Sequence, residues 1–205
     1  MADPIIGVTG GPLRSDALSG FGEPTRVWFT NTFGEATAAQ AGAWPALATG
    51  AHVLLCGPTG SGKTLAAFLS AIDRLASEPL PERPTTSVIY ISPLRALAVD
   101  IDKNLRSPLR GVALAAQRLG LAAREPSVGV RTGDTPASER RRLAKHPPDI
   151  LITTPESLYL MLTSSVRDTL GDVRTVIVDE IHAVAATKRG SHQSAQTPAI
   201  AHRRD

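Results

Sequence analysis

Aromatic residues are scarce in this chain, with two Trp, two Tyr and four Phe among 205 residues. Hydrophobic residues still make up 42%, so the expected core is aliphatic and rich in alanine. Cysteine is scarcer still. The single Cys56 excludes an intrachain disulfide and any zinc site built on several cysteines. It closes an apolar run, where a buried thiol is expected. His182 has no partner at His-x-x-x-His spacing, so nothing here suggests a zinc helix. No apolar run approaches the length that spans a membrane. Residues 1–11 lack the basic start and long apolar centre of a secretion signal, so a soluble, cytoplasmic protein without membrane contact is expected. The excess of one charge sign is small as well. A formal charge of +3 permits a polyanionic partner without requiring one. The length suits one α/β domain of ordinary size.

Gly57-Pro58-Thr59-Gly60-Ser61-Gly62-Lys63-Thr64 fits G-x-x-x-x-G-K-[ST], the phosphate-binding P-loop. The apolar run 52–56 before it reads as a short strand. Residues 63–76 after it read as a helix, with Leu65, Leu69, Ile72 and Leu75 on one face. The chemistry needs these residue types at this spacing. Glycines let backbone N–H groups curl around phosphate oxygens, and the helix start adds partial positive charge. Lys63 is placed to reach the β- and γ-phosphates of ATP, and the Thr64 hydroxyl to hold Mg²⁺.

Strands and helices alternate along the rest of the chain. Val88–Ile91, Val128–Arg131 and Ile150–Thr153 are predicted strands, and 174–178 is the last. Ser92-Pro93 starts a helix carrying Leu94, Leu97, Ile101 and Leu105, and 108–119 is predicted as a separate one because Pro108 opens it. Thr135-Pro136 caps a helix over Ala137–Lys145, and Pro155–Leu162 forms another. Residues 36–47 are predicted helical, interrupted at Trp44-Pro45. Such alternation implies a mostly parallel sheet with helices on both faces. Residues 1–24 are punctuated by Gly and Pro and are expected to be loosely ordered. Residues 187–205 carry one large apolar residue, Ile200, and are expected to form a disordered tail. The domain proper then spans 25–186.

Val176-Ile177-Val178-Asp179-Glu180-Ile181-His182 is a β-branched run ending in two carboxylates, as a central parallel strand does at its C-terminal edge. Asp179 is the candidate Mg²⁺ ligand, and Glu180 the candidate polariser of an attacking water. With these residues in place, the chain resembles a superfamily 2 DExH-box helicase, and most closely the N-terminal RecA-like domain of the large helicase-related (Lhr) group. Asp179-Glu180-Ile181-His182 resembles that family's DExH box, in which His182 belongs to the catalytic set with Lys63, Asp179 and Glu180. Gln40 resembles the family's adenine-reading glutamine, although Ala36 stands where the family usually has proline. Pro93-Leu94-Arg95, Thr132-Gly133-Asp134 and Thr154-Pro155-Glu156 resemble its strand-contacting motifs. The resemblance implies a P-loop NTPase fold that binds ATP, Mg²⁺ and single-stranded DNA or RNA.

Ordinary structural roles stay open for several of these residues. Ser92-Pro93 and Thr154-Pro155 also make simple helix starts, Gly133-Asp134 a simple turn, and Arg140-Arg141-Arg142 a solvated helix face. The family also uses a second RecA-like domain, whose arginine completes the ATP site and is worth about 10³–10⁵ in rate. Neither that domain nor the strand that would lie between the P-loop strand and the DExH strand is expected within these 205 residues. An incomplete sheet with two open apolar edges is therefore expected, together with weak turnover. A truncated, non-catalytic nucleotide- or nucleic-acid-binding fragment and an unrelated P-loop ATPase remain the alternatives.

Overall fold

The computed structural model describes residues 5–8, 17–58 and 60–181. Thr59, His182 and the tail expected over 187–205 lie outside these residues. The elements run β1 (Ile5–Val8), α1 (Glu23–Phe33), α2 (Ala38–Ala48), β2 (His52–Leu55), α3 (Lys63–Ser77), β3 (Val88–Ile91), α4 (Arg95–Arg118), β4 (Val128–Arg131), α5 (Ala137–Lys145), β5 (Ile150–Thr153), α6 (Pro155–Leu162), a 3-10 turn (Ser165–Leu170) and β6 (Thr175–Val178). β1 lies within the segment expected to be loosely ordered. The chain divides into two compact units, residues 1–79 with 108–125, and residues 80–107 with 126–205.

In the first unit β2 pairs in parallel with β1, Ile5 opposite His52 and Val8 opposite Leu55. The core of this unit is mostly aliphatic and rich in alanine, as expected, with an aromatic cluster set into it. Phe21 and Phe29 both meet Trp44 edge to face, at 5.0 and 5.3 Å between ring centroids, a favoured quadrupole geometry. The few aromatic residues are thus concentrated rather than spread. Trp44 is buried, and its indole N–H donates to the Ala66 carbonyl at 3.1 Å, tying α2 to the helix after the P-loop. That packing also explains why α2 runs through Pro45 instead of stopping there. Cys56 is exposed rather than buried. It follows a strand with only one partner among the described residues, whose residues are alternately exposed and half-buried.

In the second unit four strands pair in the order β4-β5-β3-β6, all parallel. β3 and β5 are buried at every position, as expected where β-branched residues fill both faces. Their register places Arg131, Thr153, Ile91 and Val178 in one row across the sheet. Among the described residues, β6 pairs with β3 alone and so ends the strand order. Its outer positions Val176 and Val178 are correspondingly exposed. Among the described residues, the P-loop strand β2 pairs with β1.

The separate helices expected on either side of Pro108 form one helix, α4. Proline removes one helical hydrogen bond. Here Leu105, Leu109, Val112 and Ala116 make a buried stripe that continues across it, and that burial outweighs the lost bond. Phe29 is fully buried, so Phe29→Ala should lower unfolding free energy by about 3–5 kcal/mol. Leu80→Ala, at a side chain 76% exposed, should change it by less than about 0.5 kcal/mol. Urea denaturation of both variants measures the contrast.

Candidate nucleotide and nucleic-acid sites

The P-loop is held by its own atoms and by α2. Gly60 and Gly62 adopt φ of 83° and 82°, a region that side-chain-bearing residues rarely enter. The Lys63 ammonium donates to the carbonyls of Gly57 at 2.6 Å and Pro58 at 2.8 Å. Thr64 is exposed in the first turn of α3. The Ser61 hydroxyl is buried with no hydrogen-bond partner among the described residues, a costly state unless a ligand supplies one. Flexible glycines, an ammonium, a helix start and an unsatisfied hydroxyl together fit a polyphosphate.

Gln40 is buried, not a surface side chain. Thr37 and Gln40 form a reciprocal cap at the start of α2, with the Gln40 carbonyl oxygen accepting from the Thr37 N–H at 2.9 Å. The same pair braces the P-loop. The Thr37 hydroxyl donates to the Ser61 carbonyl at 2.9 Å, and the Gln40 amide donates to the Gly62 carbonyl at 3.5 Å. A Cβ on Gly62 would sit 2.7 Å from the Gln40 amide nitrogen, so a side chain there would displace the Gln40 amide. Thr37 was missed in the sequence, although Thr-x-x-Gln before an apolar run is the signal for it.

Asp179 sits just past β6, where its N–H continues the ladder to the Ile91 carbonyl at 3.0 Å. One carboxylate oxygen accepts a 2.5 Å hydrogen bond from the Tyr90 hydroxyl, and the other accepts from the Glu180 N–H at 3.0 Å. Burial pushes the Tyr90 phenol far above its ordinary range, and the bond to Asp179 adds to this, so the proton stays on tyrosine. Glu180 has φ of 46°, the left-handed region that disfavours L side chains. Such strain, of order 1–3 kcal/mol, clusters at functional positions. Tyr90, the partner of Asp179, was also missed in the sequence, because only cross-strand register brings the two together.

The three candidate strand-contacting motifs follow β3, β4 and β5, so the parallel register brings all of them to one sheet edge. Arg95 and Asp134 meet in an ion pair at 2.6 Å, joining the first motif to the second. Leu94 is exposed and Pro93 half-buried. Thr132 is buried, accepting at its hydroxyl from the Asp134 N–H, and its own N–H donates to the Thr135 hydroxyl at 2.8 Å. Gly133 is exposed. Thr154 is buried and accepts from the Ser157 N–H as the N-cap of α6. Pro155 is also buried, whereas Glu156 faces solvent. Of the third motif, then, only Glu156 offers its side chain to the outside.

Known proteins match this arrangement. The DEAD/DEAH box helicase profile matches residues 37–202. The "Lhr helicase/ probable uracil glycosylase" of Mycolicibacterium smegmatis is 59% identical over 178 residues, covering 87% of this chain and 12% of that protein. The "Lhr helicase/uracil glycosylase" of Escherichia coli is 53% identical, covering 84% of this chain and 12% of that protein. The chain therefore spans about an eighth of the length of these curated relatives. The solved Mycobacterium smegmatis helicase Lhr bound to ssDNA and AMP-PNP superposes with a TM-score of 0.81, at 59% identity, over 87% of this chain and 22% of that one. The likeness establishes the RecA-like α/β fold.

The Tyr90–Asp179 bond joins a buried phenol to a carboxylate. In a double-mutant cycle of Tyr90→Phe and Asp179→Asn, unfolding free energies should couple by about 1–3 kcal/mol. Additive effects would mean that the bond contributes nothing in solution.

Proposed function

Because the chain belongs to the DEAD/DEAH box helicase family, we propose that it is the ATP-binding and nucleic-acid-binding domain of an Lhr-type ATP-dependent helicase, one that hydrolyses ATP to drive movement along a strand. The observation that carries this is the P-loop itself. Lys63 is bonded to two carbonyls of its own loop, and the unsatisfied Ser61 hydroxyl is buried beside it in sequence. Triphosphate oxygens would take both groups, leaving the loop's carbonyls to water. That the Lhr relative holds AMP-PNP and ssDNA supports the same ligands here.

The family resemblance assigns Mg²⁺ to Thr64 and Asp179, whose hard oxygen atoms suit it, and Mg²⁺ is ordinarily held by one or two protein oxygens plus substrate phosphates. When bound, Mg²⁺ would neutralise charge developing on the phosphates. Tyr90 orients the Asp179 carboxylate. Glu180 would polarise the attacking water, and His182 completes the DExH set. Gln40 would read the adenine, a role that must coexist with its brace on Gly62. Glu156, Leu94 and the Thr132–Asp134 loop would meet the strand, with Pro93, Thr154 and Pro155 shaping the edge behind them. The same proposal places the protein in the cytoplasm and in DNA repair, the latter supported by relatives whose names include a uracil glycosylase. No described helix is long and apolar enough to cross a membrane.

Fluorescent ATP with Mg²⁺ should bind saturably to the 205-residue chain, and Lys63→Ala should weaken it at least about tenfold, the loss of one charge-assisted contact. Absence of binding in both proteins would contradict the proposal. Glu180→Gln should keep nucleotide affinity while lowering turnover stimulated by single-stranded DNA about 10²–10⁴-fold. Unchanged turnover would remove Glu180 from the chemistry.

A further inference from the structure

Glu180 holds a backbone conformation that a side chain disfavours. Its φ of 46° is the one positive value at a residue other than glycine among the described residues. An L residue stays in that region only where neighbouring groups hold it there. Glu180 follows β6 and faces solvent, so burial of its own side chain does not supply the hold. Its N–H does make a bond, donating to one Asp179 carboxylate oxygen at 3.0 Å. That bond closes a short ring, which exists in only one arrangement of the Asp179 side chain, and at an exposed position it is weak against water.

Tyr90 fixes that arrangement from the other side. Its ring is buried within β3, and its hydroxyl donates to the second Asp179 oxygen at 2.5 Å. Tyr90 lies opposite Ile177, two residues before Asp179. Side chains alternate between the faces of a sheet, so Tyr90, Ile177 and Asp179 share one face. The Asp179 N–H is bonded to the Ile91 carbonyl as well. Backbone and carboxylate of Asp179 are thus both anchored to β3, which lies between β5 and β6. A hydrogen bond to a charged acceptor from a buried donor is of the strong kind, whereas the Glu180 bond that depends on it is not.

We propose that Tyr90 is a positioning residue that acts through Asp179 on Glu180. Its hydroxyl pins the carboxylate, the carboxylate holds the Glu180 N–H, and the left-handed turn kept in this way aims the Glu180 side chain. Without the hydroxyl, the Asp179 side chain rotates, the bond to the Glu180 N–H opens, and Glu180 relaxes to negative φ with its carboxylate pointing elsewhere. The proposal rests on reading Glu180 as the group that polarises the attacking water. It deepens that reading by naming what holds Glu180 in place, a residue 90 positions away in neither the P-loop nor the DExH box.

The test compares Tyr90→Phe, which keeps the ring and removes the hydroxyl, with Ser127→Ala in the full chain. The Ser127 hydroxyl donates to Asp149 at 2.8 Å where β4 and β5 begin, at the opposite end of the sheet, so its loss is structural alone. In ¹⁵N–¹H spectra, the Glu180 amide should shift in Tyr90→Phe and exchange with solvent about tenfold faster, and should do neither in Ser127→Ala. ATP turnover stimulated by oligothymidylate should fall about 10- to 100-fold in Tyr90→Phe with nucleotide affinity unchanged, and should stay at the wild-type rate in Ser127→Ala. The amide readout needs no turnover, so it decides the case even for a slow enzyme. Should Tyr90→Phe not fold, urea midpoints at exposed position 180 still test the strained turn, and Glu180→Gly should be more stable than Glu180→Ala. An unmoved Glu180 amide or wild-type turnover in Tyr90→Phe, or Glu180→Gly less stable than Glu180→Ala, overturns this proposal and leaves the role of Glu180 standing. Unchanged turnover in Glu180→Gln overturns that role, and this one with it.

Discussion

A parallel sheet makes all its strands end on the same side, and the candidate chemistry of the second unit depends on that constraint. Arg131, Thr153, Ile91 and Val178 stand in one row. The next residue of each strand is therefore Thr132, Thr154, Ser92 or Asp179. Four segments separated in sequence reach one edge without any long-range contact being specified for each. The ladder even extends one residue further, with Ser92 donating to the Thr153 carbonyl and Asp179 to that of Ile91. Ligands of open α/β sheets bind outside the carboxyl ends of the strands. Here that rule places hydroxyls, arginines and a carboxylate together.

Both candidate sites hold their charged groups in internal bonds. Lys63 is bonded to two carbonyls, Asp179 to Tyr90 and to the Glu180 N–H, and Arg95 to Asp134. A ligand must exchange these bonds for its own, so the net gain is smaller than a bare contact would suggest. The return is order before binding, since each group already sits on a braced loop. Thr37 and Gln40 brace the P-loop, and Arg140 braces the loop at Gly133.

The strands were legible because short β-branched runs lie between turn signals. Val88–Ile91, Val128–Arg131 and Ile150–Thr153 form with the bounds their residues suggest. The P-loop and the Asp-Glu pair were legible for a different reason, since phosphate chemistry fixes residue types at fixed spacing. What escaped depends on packing or register. Pro45 and Pro108 do not break their helices, because the stripes around them are buried. Tyr90 meets Asp179 across 89 residues, and Arg95 meets Asp134 across 39. No local pattern encodes such a meeting. The exposure of Cys56 follows from which strands find partners among the described residues, a property of the assembled sheets.

The central claim is that the loop from Gly57 to Thr64 exchanges its internal bonds for nucleotide phosphates. Hydrogen exchange of the backbone amides, with and without ATP and Mg²⁺, tests it most directly. Exchange at Gly60 to Thr64 and in the first turn of α3 should slow on adding nucleotide, with no such protection in Lys63→Ala. Unchanged exchange across this segment at saturating nucleotide would contradict it.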